Sequence, residues 1–146
     1  MSDDEILLVE DSPNDAEVTL RALKRHNLAN NVVIAHDGAE ALDYMFATGA
    51  HADRQGLPKP RLVLRDLKLP KVDGIEVLRR FKADAHARLV PVVVLTSSAE
   101  ERDIAMTYDL GVNSYVVKPV EFEAFAQAVA DLVLYWLLLN RAPYEP

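Results

Sequence analysis

Five short apolar runs punctuate this chain, and their alternation with helical patterns leaves few folds open. The runs are Ile6 to Val9, Val32 to Ala35, Arg61 to Arg65, Pro91 to Leu95 and Asn113 to Val117. Each is followed by polar or turn-forming residues and then by a segment with apolar positions at helical spacing. Runs this continuous suit strands covered on both faces of a parallel sheet, whereas a half-exposed strand would alternate. Pro91 is tolerable because it stands first in its strand. Between the runs, Ser12 and Asp15 lie at capping-box spacing and open a helix reaching about His26, with an apolar stripe at Ala16, Leu20 and Leu23. Helices are also predicted from Ala39 to about Thr48 and from Ile75 to about Phe81. A fourth runs from a Ser98 cap to Gly111, and a fifth from Glu121 to about Leu139. Gly49 to Pro60 reads as a surface loop of variable conformation. Strands and helices in strict alternation predict an α/β, doubly wound parallel sheet with right-handed crossovers and its active groups gathered at the carboxyl ends of the strands.

Composition sets bounds on that fold. A chain of 146 residues, half of them apolar, fills one core, so residues 1–146 are expected to form a single domain in which 120–146 supply a long apolar helix and tail. The net charge of -7, with no basic run longer than Arg79-Arg80, offers little to nucleic acid phosphates. Leu132 to Leu139 is the longest apolar stretch, far short of the roughly 20 residues of a membrane span. The acidic start Met1-Ser2-Asp3-Asp4-Glu5 and the absence of cysteine point to a cytoplasmic protein.

The chemistry gathers where the strands end. Glu10 and Asp11 follow the first run, Asp66 the third, Thr96 the fourth and Lys118 the fifth. Carboxylates brought together repel one another unless a cation joins them, and such oxygen ligands suit Mg²⁺. A metal held there would neutralise phosphoryl oxygens while a carboxylate attacks phosphorus. Lys118 would add a second positive point and the Thr96 hydroxyl a hydrogen-bond donor. Taken singly, each residue has an ordinary reading: a solvated or capping acid, a turn threonine, a surface lysine, a tyrosine at 115 in a half-buried strand. Their common position at one sheet edge is what favours chemistry. Asp11-Ser12-Pro13 replaces any glycine-rich first turn, which excludes the dinucleotide fingerprint and the phosphate-binding loop of nucleotide hydrolases. A Mg²⁺-dependent hydrolase with an aspartate nucleophile stays open, although no segment is long enough to cap its substrate.

At these residues the chain resembles the receiver domains of response regulators. The resemblance rests on Ile6-Leu7-Leu8-Val9-Glu10-Asp11, on Leu62 to Pro70 followed by Asp73-Gly74, on Pro91 to Leu95 delivering Thr96, and on Tyr115-Val116-Val117-Lys118-Pro119. It implies a flavodoxin-like sheet in the order 2-1-3-4-5 flanked by five helices, with Asp66 accepting a phosphoryl group from a histidine kinase or phosphotransfer protein. It further implies that Glu10, Asp11, Asp66 and the Lys68 backbone carbonyl surround Mg²⁺ and that Lys118 bridges to the aspartyl phosphate. Thr96 would move toward the phosphoryl group and Tyr115 would change rotamer, shifting the population of the face made by the fourth helix, fifth strand and last helix. Such a protein signals by contact and is not an enzyme beyond weak self-phosphorylation and self-dephosphorylation; a receiver-like module that binds independently of phosphorylation is the alternative. The long loop before Pro60, Asp66 to Pro70, Thr96-Ser97-Ser98 and the apolar tail around Tyr135-Trp136 resemble in particular the small regulators paired with bacterial phytochromes, whose kinase senses red and far-red light.

Two residues depart from the family pattern. Arg65 stands where an apolar residue is usual; it should face away from Asp66 and needs water or an acid, and one way to reach them is for its stem to lie along the core while the head snorkels out between helices. Lys68 stands where many relatives have Asn, and its side chain can reach over the site. The last helix carries more apolar surface than one buried face needs. With Phe122, Phe125, Val129, Leu132 and Trp136 turned inward, Leu134, Tyr135 and Leu138 are left over, and they suggest a two-fold homodimer through that helix.

Overall fold

A computed structural model describes residues 6–28, 31–57, 59–66, 72–96, 101–109, 111–118 and 121–139, with the backbone path alone for residues 66, 72–75, 101–103, 106, 138 and 139. Strands β1 (Ile6–Val9), β2 (Val32–Ala35), β3 (Leu62–Asp66), β4 (Val92–Thr96) and β5 (Ser114–Val117) pair in parallel in the order β2-β1-β3-β4-β5. Helices α1 (Pro13–Arg25), α2 (Gly38–Phe46), α3 (Val72–Ala83), α4 (Glu101–Asp109) and α5 (Phe122–Leu134) alternate with them. The order that the family resemblance implies is the order found.

Continuous apolar strands serve two cores at once. Leu7, Val9, Val63, Val92 and Val94 face one way and pack with Ala41, Tyr44 and Met45 of α2 and Val77, Leu78 and Phe81 of α3. Ile6, Leu8, Leu62, Leu64, Val93 and Leu95 face the other way and pack with Ala22 and Leu23 of α1 and Phe125, Ala126, Val129 and Val133 of α5. Period-two alternation along each strand sends successive side chains to opposite cores.

Local signals account for the helix starts. Ser12 Oγ accepts the Asp15 N–H at 3.3 Å with Pro13 at the first helical position, Asp37 caps α2 through the Glu40 N–H at 2.7 Å, and Glu121 caps α5 through the Ala124 N–H at 3.2 Å. After α4 the chain reverses at Gly111, whose φ of +91° is a left-handed conformation natural to glycine.

Three expectations need correction. Residues 49–60 are not a plain loop: Gly49–Arg54 form a 3₁₀ turn, and the segment is fastened to the end of α2. Arg54 donates to the Tyr44 carbonyl and lies 3.6 Å over the Tyr44 ring, while Lys59 donates to the Met45 carbonyl at 2.8 Å. These cations satisfy carbonyls that the last turn of a helix leaves unpaired, at the negative end of its dipole. The last helix does not continue as α to Leu139 but widens into a π turn at Tyr135–Leu139, where Arg61 donates to the Leu137 carbonyl at 3.3 Å. Asn113 belongs to the approach to β5 rather than to the strand; its side-chain oxygen takes the Val92 N–H at 2.8 Å, steadying the entry to β4.

Asp84, after α3, accepts the Ala87 N–H at 2.7 Å and the His86 N–H at 2.9 Å. The Ala87 bond chiefly, then the His86 bond and the charges of Lys59 and His86, hold its carboxyl below the usual range, against a burial effect of opposite sign. Because the folded-state pKa is depressed, this contribution is present above the unfolded pKa and is lost as pH falls through the folded value. Asp84→Ala is expected to cost about 1 kcal/mol at neutral pH, as loss of a capping carboxylate does. Urea melts at neutral and strongly acidic pH should show the two proteins converging in acid; a gap that persists there would contradict the assignment.

Candidate functional site

Strand register assembles the site. Val9 pairs with Arg65, so Glu10 at the end of β1 stands beside Asp66 at the end of β3. Asp66 pairs with Leu95, leaving Thr96 one residue further along β4, and Thr96 pairs with Val117. The Lys118 N–H then donates to the Thr96 carbonyl at 2.7 Å, extending the ladder one step. Glu10, Asp66, Thr96 and Lys118 thus follow one another across four neighbouring strands at one edge, as the strand-end pattern predicts.

The individual groups differ in their surroundings. Glu10 is 1% exposed; its N–H extends the β1–β2 ladder to Ala35 at 3.0 Å, and its Oε1 accepts the Ser12 N–H at 3.0 Å. Ser12 therefore orients Glu10 through its backbone while capping α1 with its hydroxyl. The cap was readable from spacing; the orienting contact was not. Asp11 is exposed, Thr96 is buried and Lys118 is half-buried. Tyr115 is half-buried against the core of the α2–α3 face. The side chain of Asp66, all of Lys68 and the Ser98 cap lie outside the described residues.

Hard oxygen donors make up this edge. Glu10 and Asp11 are consecutive carboxylates, one enclosed and oriented, the other open to solvent, and the neighbouring strand ends on a third acid. That donor set fits a divalent cation with carboxylate ligands and retained water.

Arg65 is 7% exposed, so most of its side chain is enclosed, and it is engaged by a partner. By alternation with Val63 it does lie on the face opposite Asp66, the α2–α3 side.

A parallel sheet in this order, with acids, a threonine and a lysine along its carboxyl edge, is the architecture of a phosphorelay receiver. The chain belongs to that family: the response regulator receiver domain model matches residues 6–130. The probable methanogenesis regulatory protein FilR2 of Methanothrix harundinacea is 43% identical over 94% of this chain and 86% of its own. Among solved structures, the phosphorylated cyanobacterial phytochrome response regulator RcpA superposes with a TM-score of 0.84 at 38% identity, covering 97% of this chain and 99% of that one. The Mn²⁺-bound form of response regulator Rcp1, a Synechocystis protein, gives 0.82 at 35% identity with the same coverage. The bacteriophytochrome response regulator AtBRR gives 0.72 at 56% identity, covering 94% and 98%. The protein is therefore a phosphorelay response regulator, a signalling module rather than a conventional enzyme. A site for a divalent metal accords with the Mn²⁺-bound relative. Among the described residues no helix is long and apolar enough to cross a membrane.

Proposed function

We propose that this chain acts as one cytoplasmic receiver unit that takes a phosphoryl group onto Asp66 from a phytochrome-type histidine kinase, or from a phosphotransfer protein fed by one. The register that lines up Glu10, Asp66, Thr96 and Lys118 carries the reading. A carboxylate oxygen of Asp66 forms a bond to phosphorus as the bond from phosphorus to the donor imidazole nitrogen breaks, and that nitrogen keeps the electron pair. Glu10, Asp11, Asp66 and the Lys68 carbonyl would hold Mg²⁺, which when bound neutralises phosphoryl oxygens. Lys118 supplies a fixed positive charge to the phosphoryl group, and the Thr96 hydroxyl donates a hydrogen bond to one of its oxygens. Tyr115 occupies the next strand on the face that carries Thr96, where a change in Thr96 is felt by packing.

The light-sensing kinase is supported by the likeness to RcpA, a phytochrome response regulator, and AtBRR, a bacteriophytochrome response regulator; FilR2 is a probable methanogenesis regulatory protein. Phosphotransfer from a purified bacteriophytochrome kinase and from an unrelated histidine kinase, with Asp66→Asn as control, separates these. Transfer at least tenfold faster from the phytochrome kinase is the expected result, on the order of 1.4 kcal/mol of discrimination. Equal rates would remove the pairing and leave the receiver chemistry intact.

The same reading includes a homodimer through α5. Four of the six large apolar residues exposed among those described lie on α4, β5 and the last helix: Tyr108, Val117, Leu134 and Tyr135, the last at 47% exposure. Leu134 and Tyr135 were expected from the surplus of apolar positions; Tyr108 and Val117 were not, because one exposed side of a short helix or strand leaves no pattern. The side chain of Leu138 lies outside the described residues. Light scattering at tens of micromolar should return the mass of two chains, and Tyr135→Arg the mass of one. A single-chain mass for the parent, with and without a phosphoryl analogue, would count against the dimer.

A further inference from the structure

Two charged side chains are enclosed among the described residues, one of each sign: Glu10 at 1% and Arg65 at 7% exposure. Both are engaged by partners. They stand on adjacent strands one residue apart, since Arg65 pairs with Val9 and Glu10 follows Val9. A guanidinium is always charged, and enclosing one is costly unless the surrounding field is negative. Glu10 and Asp11, which follow Val9 on the neighbouring strand, put two carboxylates at that edge. Within the sheet, Arg65 also pairs with Val94, placing it on the same face as buried Thr96 two residues on and as Tyr115 opposite Val94.

We infer that Arg65 is a built-in counter-charge of the acid edge, supplying from within the fold part of the positive charge that the carboxylates otherwise draw from a divalent cation. The inference rests on reading those acids as a metal site and goes beyond it in assigning a positioning role to a residue on the opposite face of β3. A fixed positive charge within about 10 Å, at the effective dielectric of a protein interior, weakens binding of a divalent cation by tenfold or more. The same charge steadies the acids when no cation is present. The acid edge of this chain therefore holds together with less dependence on metal than one with an apolar residue before the acceptor.

The test is calorimetric titration of the folded, full chain with Mg²⁺ and with Mn²⁺, for the parent, Arg65→Met, Arg65→Gln and Arg65→Lys. Met keeps length and loses charge, Gln does so with a polar head, and Lys keeps the charge. Roughly tenfold tighter binding is expected in the two neutral variants, with Arg65→Lys within about twofold of the parent. Melting temperature should correspondingly rise more on adding Mg²⁺ in the neutral variants than in the parent. Should Arg65→Met not fold, Arg65→Gln carries the comparison. Equal affinity in the parent and the neutral variant overturns the inference while leaving the metal site standing. Tightening in Arg65→Lys equal to that in the neutral variants also overturns it, because shape and not charge would then be responsible. Absence of metal binding in every variant removes the metal reading itself and the inference with it.

Discussion

Lys118→Ala is expected to slow uptake of a phosphoryl group from a small phosphodonor by roughly 100-fold, the usual cost of removing one fixed charge stabiliser from a transition state. The fold should survive, because Lys118 is half-buried and its backbone N–H, which the substitution keeps, makes the ladder contact to Thr96. Mg²⁺ affinity should not fall, since the lysine is a cation and not a ligand, and removing a nearby positive charge favours a bound metal. Intact-mass time courses with and without Mg²⁺ measure this directly. Uptake at the parental rate would mean that the strand-end lysine lies outside the reaction.

The second large effect concerns stability. Phe81 of α3 is fully buried and meets Phe46 of α2 edge-on, with ring centroids 6.3 Å apart. Truncating such a side chain removes its burial and leaves a cavity, so Phe81→Ala should cost about 3–5 kcal/mol. Against a total stability of about 5–15 kcal/mol for an ordinary domain, that is a large fraction. Urea denaturation should show a lower midpoint with an unchanged slope. A loss below about 1 kcal/mol would mean that α3 repacks freely, contrary to the close packing of that core.

How far the sequence carried the account can be judged from these same residues. Ile6 to Val9 and Pro91 to Leu95 revealed themselves as buried parallel strands because burial on both faces is written into consecutive positions. Glu10, Asp66, Thr96 and Lys118 could be gathered at one edge because a doubly wound sheet sends strand ends to one side. The strand order itself came from family resemblance, since local periodicity does not say which strands are neighbours. What escaped the sequence was non-local or one-sided. The fastening of residues 49–60 depends on side chains reaching the carbonyls that end α2, and the π turn at Tyr135–Leu139 meets Arg61 from far along the chain. Ser12 combines two hydrogen-bonding duties, of which only the cap has a spacing signature. Arg65 was expected to need water or an acid, and its enclosure on β3 is a matter of tertiary packing that no local pattern announces.

The central claim is that Asp66 accepts a phosphoryl group. Intact-protein mass after treatment with a small phosphodonor and Mg²⁺, comparing the parent with Asp66→Asn, tests it most directly, provided a control shows that aspartyl phosphate survives detection. The account predicts a gain of about 80 Da, one phosphoryl group, in the parent and none in the variant. No gain in either, or an equal gain in both, would contradict it; the former would turn attention to a receiver-like module that binds its partner without phosphorylation.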